Sequence, residues 1–203
     1  MSATLGELRV LIESLKKRKI EVILIGGQSI SIAEDVEMAT KDSDFLLTSL
    51  NMTRLHDAFE GMKKENYKFD YRWVHEEWED IIICKVDHKG RKYRADFLDA
   101  YLFTPDRAKE QFYTIVDKEM SVEKHGIRVA LPEAVIYTRL VPDPTWKKYV
   151  EKTVENAVEV YDFKQKTFDL NKVEELARRL GSDNINDRLE YLRKRLIDRG
   201  LPY

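Results

Sequence analysis

One cysteine, Cys84, stands among 203 residues, so no internal disulfide can form and the thiol content fits a reducing compartment. Long apolar runs are also missing. The longest, Val22 to Ile25 and Ile81 to Cys84 among them, fall far short of the roughly 20 residues that cross a bilayer. Met1-Ser2-Ala3-Thr4 leads directly into charged amphipathic sequence, without the basic start and apolar centre of a secretory leader, so a cytoplasmic protein is expected. Neither sign of charge is in excess. Lys and Arg number 35 against 37 Asp and Glu, and the net charge of −2 gives no bulk drive toward nucleic acid or an anionic membrane. Internal repeats, low-complexity tracts and Gly/Ser linkers are absent. The histidines His56, His75, His88 and His125 lack zinc-ligand spacing.

What is present suits a folded chain: 43% apolar and 10% aromatic residues are too many for intrinsic disorder. Thr4 and Glu7 form a capping box ahead of Leu8, Leu11, Ile12 and Leu15, which predicts a first helix to about Arg18. Ile20 to Ile25 reads as a buried strand closed by Gly26-Gly27, and a short helix is expected after the glycines. Phe45-Leu46-Leu47 predict a second strand, and Leu55, Phe59 and Met62 mark one face of a helix. Three strand-like segments follow, at Tyr67 to Val74, Asp80 to Val86 and Arg91 to Leu98, the last two joined by a hairpin turn at Asp87 to Gly90. Thr104-Pro105-Asp106 reads as a helix start, and Gly126 to Ala130 as a short strand. Beyond it the sequence turns helical, with starts at Pro132, Pro144, Asp169 and Ile185. The expected class is α+β, a mixed helix and strand region over 1–130 followed by a C-terminal helical region over 131–203 packed on it.

The chemistry-bearing pattern is an ordered set. A strand ends in Gly26-Gly27, a short helix follows, and Asp42-Ser43-Asp44 opens the next strand. Residues two apart in a strand point to the same side, so the Asp42 and Asp44 carboxylates project together. Such a pair repels itself unless a cation sits between its members, and Mg²⁺ is held by a few carboxylates plus substrate phosphates. A third acid, Asp96, interrupts the strand-like Arg91 to Leu98 segment, with Asp99 just after it.

This order of Gly26-Gly27, Asp42-x-Asp44 and a later Asp96 resembles the nucleotidyltransferase superfamily of the DNA polymerase β type. The segment Leu131-Pro132-Glu133-Ala134-Val135-Ile136-Tyr137-Thr138-Arg139 resembles that of the stand-alone AbiEii-like toxins, where a Pro-Glu helix start precedes a basic residue. The resemblance implies the nucleotidyltransferase fold, a mixed sheet flanked by helices with the catalytic core over 1–130, and transfer of a nucleoside monophosphate from a nucleoside triphosphate to an acceptor hydroxyl. It implies Mg²⁺ or Mn²⁺ on Asp42, Asp44 and Asp96, with Asp96 also activating the hydroxyl. Gly26 and Gly27 would meet the nucleotide phosphates, with Ser29 and Arg139 as further contacts. It makes a tRNA or other RNA end the first acceptor candidate, with a protein hydroxyl or a small molecule open, and suggests a toxin–antitoxin setting. The sequence departs from the pattern at Ser43, usually apolar, at Gly27, often serine, and in a late helical acid for which only Glu159 and Asp162 offer themselves. These departures motivate the alternative of a catalytically inactive relative that serves as a binding partner in a toxin–antitoxin pair.

Plainer readings stand beside these. Arg139 sits among apolar neighbours and could snorkel at a helix border. Trp73 and Trp78 could stack on a base or simply cover a sheet. Cys84, among isoleucines, reads as core. The last helix carries Arg188, Arg193, Lys194, Arg195 and Arg199 beside Leu189, Leu192 and Leu196, a pattern that suits RNA or a solvated face opposite a packed one.

Overall fold

Three consecutive apolar residues make β1 (Ile23–Ile25), and every one of them is buried because both faces of the strand are covered. In the computed structural model, which describes residues 3–47, 52–76, 79–103, 109–141, 146–182 and 185–202, β1 lies inside a seven-stranded mixed sheet. The other strands are β2 (Ser43–Leu47), β3 (Tyr67–Glu76), β4 (Glu79–His88), β5 (Arg91–Asp99), β6 (Ser121–Lys124) and β7 (Ile127–Ala130). Their order is β3-β4-β5-β2-β1-β7-β6; β2 runs parallel to β5 and antiparallel to β1, which is parallel to β7. The protein is thus α+β, as its sequence predicts.

Alternation along the strands sorts side chains into two cores. Ile23, Ile25 and Leu46 enter one, and Leu24, Phe45, Leu47 and Phe97 enter the other. The second core is closed by α1 (Leu5–Lys16) and α3 (Met52–Met62), whose Leu8, Leu11, Leu15, Leu55, Phe59 and Met62 recur at helical spacing. Phe59 stacks on Phe69 at 4.1 Å between ring centroids, and Phe45 stacks on Phe97 at 5.4 Å. The capping box is formed: the Glu7 amide donates to Thr4 Oγ1 at 3.3 Å and the Thr4 amide to Glu7 Oε2 at 2.7 Å.

The first core takes α2 (Gly27–Glu34), α4 (Lys109–Glu119), α5 (Pro132–Leu140), α6 (Trp146–Lys164), α7 (Leu170–Arg179) and α8 (Ile185–Asp198). Helix α5 is buried on nearly all sides, which is why its sequence shows little amphipathic contrast. Its Glu133 accepts a hydrogen bond from the Asp169 amide at 3.1 Å, so the Pro-Glu start anchors the entry to α7. The basic residues of α8 tie helices together. Arg188 donates to the carbonyls of Leu140 and Val141, Arg195 makes a two-pronged contact with Glu151 at 2.8 and 3.0 Å, and Arg193 meets Glu174 at 2.7 Å.

Strand β6 was not expected from sequence. It pairs with β7 through a two-residue turn at His125 and Gly126, both at positive φ, the geometry tight hairpins need. Thr104-Pro105-Asp106, Pro144 and Trp78 lie outside the described residues. Among the described residues no helix is long and apolar enough to cross a membrane.

Candidate metal and nucleotide site

The register of the sheet builds the acidic cluster. Asp44 pairs with Ile25 on one side and with Asp96 on the other, so both acids lie on the face that carries Ile25 and Leu46. Asp42, one residue before β2, joins them, and one carboxylate oxygen from each of Asp42, Asp44 and Asp96 lies within 4.8 Å of the others. Asp96 is buried, and the other two are half-buried. Asp99 pairs with Leu47 three positions along β5, on the opposite face, and takes no part.

Gly26 makes room for this arrangement. Its φ of +85° turns the chain from β1 into α2, and a Cβ there would stand 2.2 Å from Asp44 Oδ2. The Asp44 carboxylate therefore lies directly against the turn backbone, a closeness only glycine permits. Gly27 is less constrained: a Cβ would meet Thr40 Cγ2 at 3.2 Å and Arg139 Nη2 at 4.0 Å. Ser29 is fully buried, and its hydroxyl donates to the Gly26 carbonyl at 2.9 Å, bracing the turn from inside. Ser43 also faces away from the acids. Its buried hydroxyl donates to Gln28 Oε1 at 2.6 Å and ties β2 to α2, so a polar residue between the two aspartates has a structural use and leaves them undisturbed.

Cations surround the cluster. Arg94 donates to Asp96 through Nε at 2.9 Å and Nη2 at 2.5 Å, a two-pronged pair along β5. Arg139 projects from α5 and is buried; Nη1 donates to Asn156 Oδ1 at 2.8 Å and Thr153 Oγ1 at 3.3 Å on α6. Its Nη2 is buried with no hydrogen-bond partner among the described residues. Burial pulls the Arg139 guanidinium down to about 10, and Asp44 opposes that shift. Lys152, on α6 one turn before Asn156, exerts its positive charge on Asp44 as well. Lys152 was not singled out in the sequence; its spacing of four from Asn156 was the available signal. Glu159 lies one turn beyond Asn156, its Oε2 buried without a hydrogen-bond partner among the described residues, whereas Asp162 is exposed.

Burial, then the charges of Asp42 and Asp96, push the Asp44 carboxyl up to about 7. An acid in this state is held near neutral pH by a proton or by a cation. The donors are oxygens only, the ligand chemistry of Mg²⁺ or Mn²⁺. Because Asp44 must lose its proton to serve as a ligand, Mn²⁺ affinity is expected to rise by up to about tenfold per pH unit below about 7 and to level off above it. Titrations of the protein with Mn²⁺ at pH 6, 7 and 8 check this, and a flat profile would refute it.

No family model matches the chain, and no curated protein sequence does. Solved structures with some likeness include a provisionally assigned nucleotidyltransferase from H. pylori, at 12% identity and TM-score 0.41, covering 94% of this chain and 93% of that one. JHP933 from Helicobacter pylori matches at 13% identity and TM-score 0.38, covering 97% of both chains. A cytoplasmic RNA terminal U-transferase matches at 14% identity and TM-score 0.32 over 72% of this chain and 40% of its own.

Proposed function

We propose that the protein is a metal-dependent nucleotidyltransferase that moves a nucleoside monophosphate from a nucleoside triphosphate to an acceptor hydroxyl. The observation that carries this reading is the carboxylate trio of Asp42, Asp44 and Asp96, gathered within 4.8 Å with Asp44 seated against Gly26. Across from it, the buried Nη2 of Arg139, close to Gly27 and without a hydrogen-bond partner among the described residues, calls for an anion. Acids that gather divalent ions beside cations that meet phosphates are what phosphoryl-group chemistry requires.

Asp42, Asp44 and Asp96 would hold the ions, whose contribution is to stabilise the attacking and leaving oxygens of an in-line displacement at the α-phosphorus. Asp96, the most buried of the three, accepts the proton of the acceptor hydroxyl. Arg139 and Lys152 bind and orient the triphosphate, and the Gly26-Gly27 turn lets its phosphates approach the backbone. Arg139→Ala is expected to raise the KM for nucleotide on the order of tenfold or more through the loss of a charged contact, with the fold retained by circular dichroism. An unchanged KM would remove Arg139 from the site.

The acceptor favoured here is a nucleic acid end. On the face that bears Asp96, cross-strand register places Lys68, Arg72, Lys85, Lys92 and Arg94 on β3, β4 and β5, interrupted by Asp70 and Asp87. Apart from half-buried Arg94 the cations of this face are exposed, which suits a polyanion led toward the trio. The Pro132-Glu133 start and Arg139 support placement near the AbiEii-like subgroup, and a toxin–antitoxin role follows only with that placement.

Incubation of the protein with each α-labelled nucleoside triphosphate, Mg²⁺ or Mn²⁺, and total RNA or cell extract tests the reading. Label is expected in RNA; label in protein or a small molecule would redirect the acceptor. No transfer under any condition by a folded sample, with nucleotide binding indifferent to metal and to Asp42→Ala plus Asp44→Ala, would leave the inactive binding partner. In active samples, Arg72→Glu plus Lys85→Glu should lower labelling of RNA severalfold and flatten its salt dependence without altering nucleotide affinity.

A further inference from the structure

Arg94 has an unusual place. It is two residues before Asp96 on the same face of β5, and its guanidinium engages both oxygens of a carboxylate whose side chain is only 3% exposed. The Arg94 side chain itself is 43% exposed, so the pair has one buried and one open member. Asp42 and Asp44 also act on Arg94 through their charges. A guanidinium therefore already neutralises part of the site in which three carboxylates converge. Without a counter-cation, a buried Asp96 beside two further acids would be strongly disfavoured.

We propose that Arg94 is a built-in competitor of the divalent ion: it holds Asp96 in the metal-free protein and leaves it when Asp42, Asp44 and Asp96 gather a metal. This inference rests on the reading of the trio as a metal site. The physical basis is twofold. A dication entering beside a guanidinium in contact with one of its ligands meets like charge at close range. Both Asp96 oxygens accept from Arg94, so the one that converges with Asp42 and Asp44 is already engaged by the guanidinium, and the solvent-exposed side of Arg94 lets it leave without disturbing the core. Arg94 thus tunes metal affinity downward while keeping the empty site stable.

A role for Arg94 in merely orienting Asp96 makes the opposite forecast, because removing it would then weaken metal binding. Mn²⁺ binding by the full chain, followed through the free-ion paramagnetic resonance signal, separates the two. Arg94→Ala is expected to bind Mn²⁺ on the order of tenfold more tightly than the unaltered protein, the scale set by the loss of a charged hydrogen-bonded pair. Arg94→Gln, which keeps a donor toward Asp96 without the charge, should also tighten binding, and Arg94→Lys should stay near the original value. Equal or weaker binding by both Arg94→Ala and Arg94→Gln overturns the proposal.

The unaltered protein offers an independent readout. Site-resolved phenylglyoxal modification of Arg94, measured by mass spectrometry, should rise severalfold on saturation with Mn²⁺, whereas Arg195, paired with Glu151 on α6, should not change. An Arg94 rate that stays level while Mn²⁺ saturates the protein overturns the proposal. If Mn²⁺ binding matches that of Asp42→Asn plus Asp44→Asn, the metal reading of the trio fails and takes this inference with it.

Discussion

Replacing Asp44 with asparagine should abolish nucleotidyl transfer and, in the same variant, make the metal-free protein more stable at pH 7.5. The loss of activity is expected to be at least about 10³-fold, because a ligand of the ions that carry the chemistry is gone. The gain in stability follows from the charge crowding at the trio. In the folded protein the Asp44 carboxyl is pushed up to about 7, first by burial and then by Asp42 and Asp96. Folding therefore favours its protonated form. Its contribution is full below the unfolded value near 3.8, declines as pH rises toward about 7 and is constant above that. Asparagine has nearly the same shape and never ionises. Allowing for the partial exposure of Asp44, the variant should gain about 1–2 kcal/mol above pH 7 and little near pH 4. Thermal melts in a chelating buffer at pH 4.5 and 8 measure the difference. A midpoint for Asp44→Asn that is no higher at pH 8 would show that the carboxylates do not strain the fold. Saturating Mg²⁺ should narrow the gap by stabilising only the unaltered protein.

Gly26→Ala should be the most damaging single methyl group in the chain. The added Cβ would meet Asp44 Oδ2 at 2.2 Å, and φ at +85° is a backbone region that side chains rarely adopt. Both penalties act at one point, so either Asp44 leaves the trio or the turn between β1 and α2 opens. A loss of about 2–4 kcal/mol is expected, together with loss of Mn²⁺ binding even where the variant folds. Gly27→Ala is the control. Its Cβ would press only on a Thr40 methyl at 3.2 Å, a contact that a small shift relieves, and its midpoint should fall far less. Equal damage from both substitutions would mean that the turn matters as a turn and not as a seat for Asp44.

The pairing of a stabilised fold with a dead site at Asp44 also bears on Ser43. An acid-Ser-acid sequence reads as a departure that weakens the site. In the fold, alternation sends Ser43 to the face opposite the two acids, where it bonds Gln28. Strand geometry, not residue type, decides whether such a departure matters. The basic last helix is the reverse case: of its five cations, Arg188, Arg193 and Arg195 are engaged with the carbonyls at the end of α5, Glu174 and Glu151, whereas Lys194 and Arg199 are exposed. Lone hydrophilic residues in a sequence do not announce which partners they will find on distant segments of the chain.

The sequence by itself determined the elements whose cause is local: the α1 capping box, the buried β1, the Gly26-Gly27 turn, the Asp169 cap of α7 and the apolar faces of α3 and α8. It also placed Asp42 and Asp44 on one side of a strand, since that follows from a period of two. Strand order, the alignment of Asp44 with Asp96 and the meeting of Arg139 with Asn156 were decided only by tertiary structure. These contacts join segments by long-range registers, set by which apolar faces the whole sheet must bury, and no window of local sequence contains that competition.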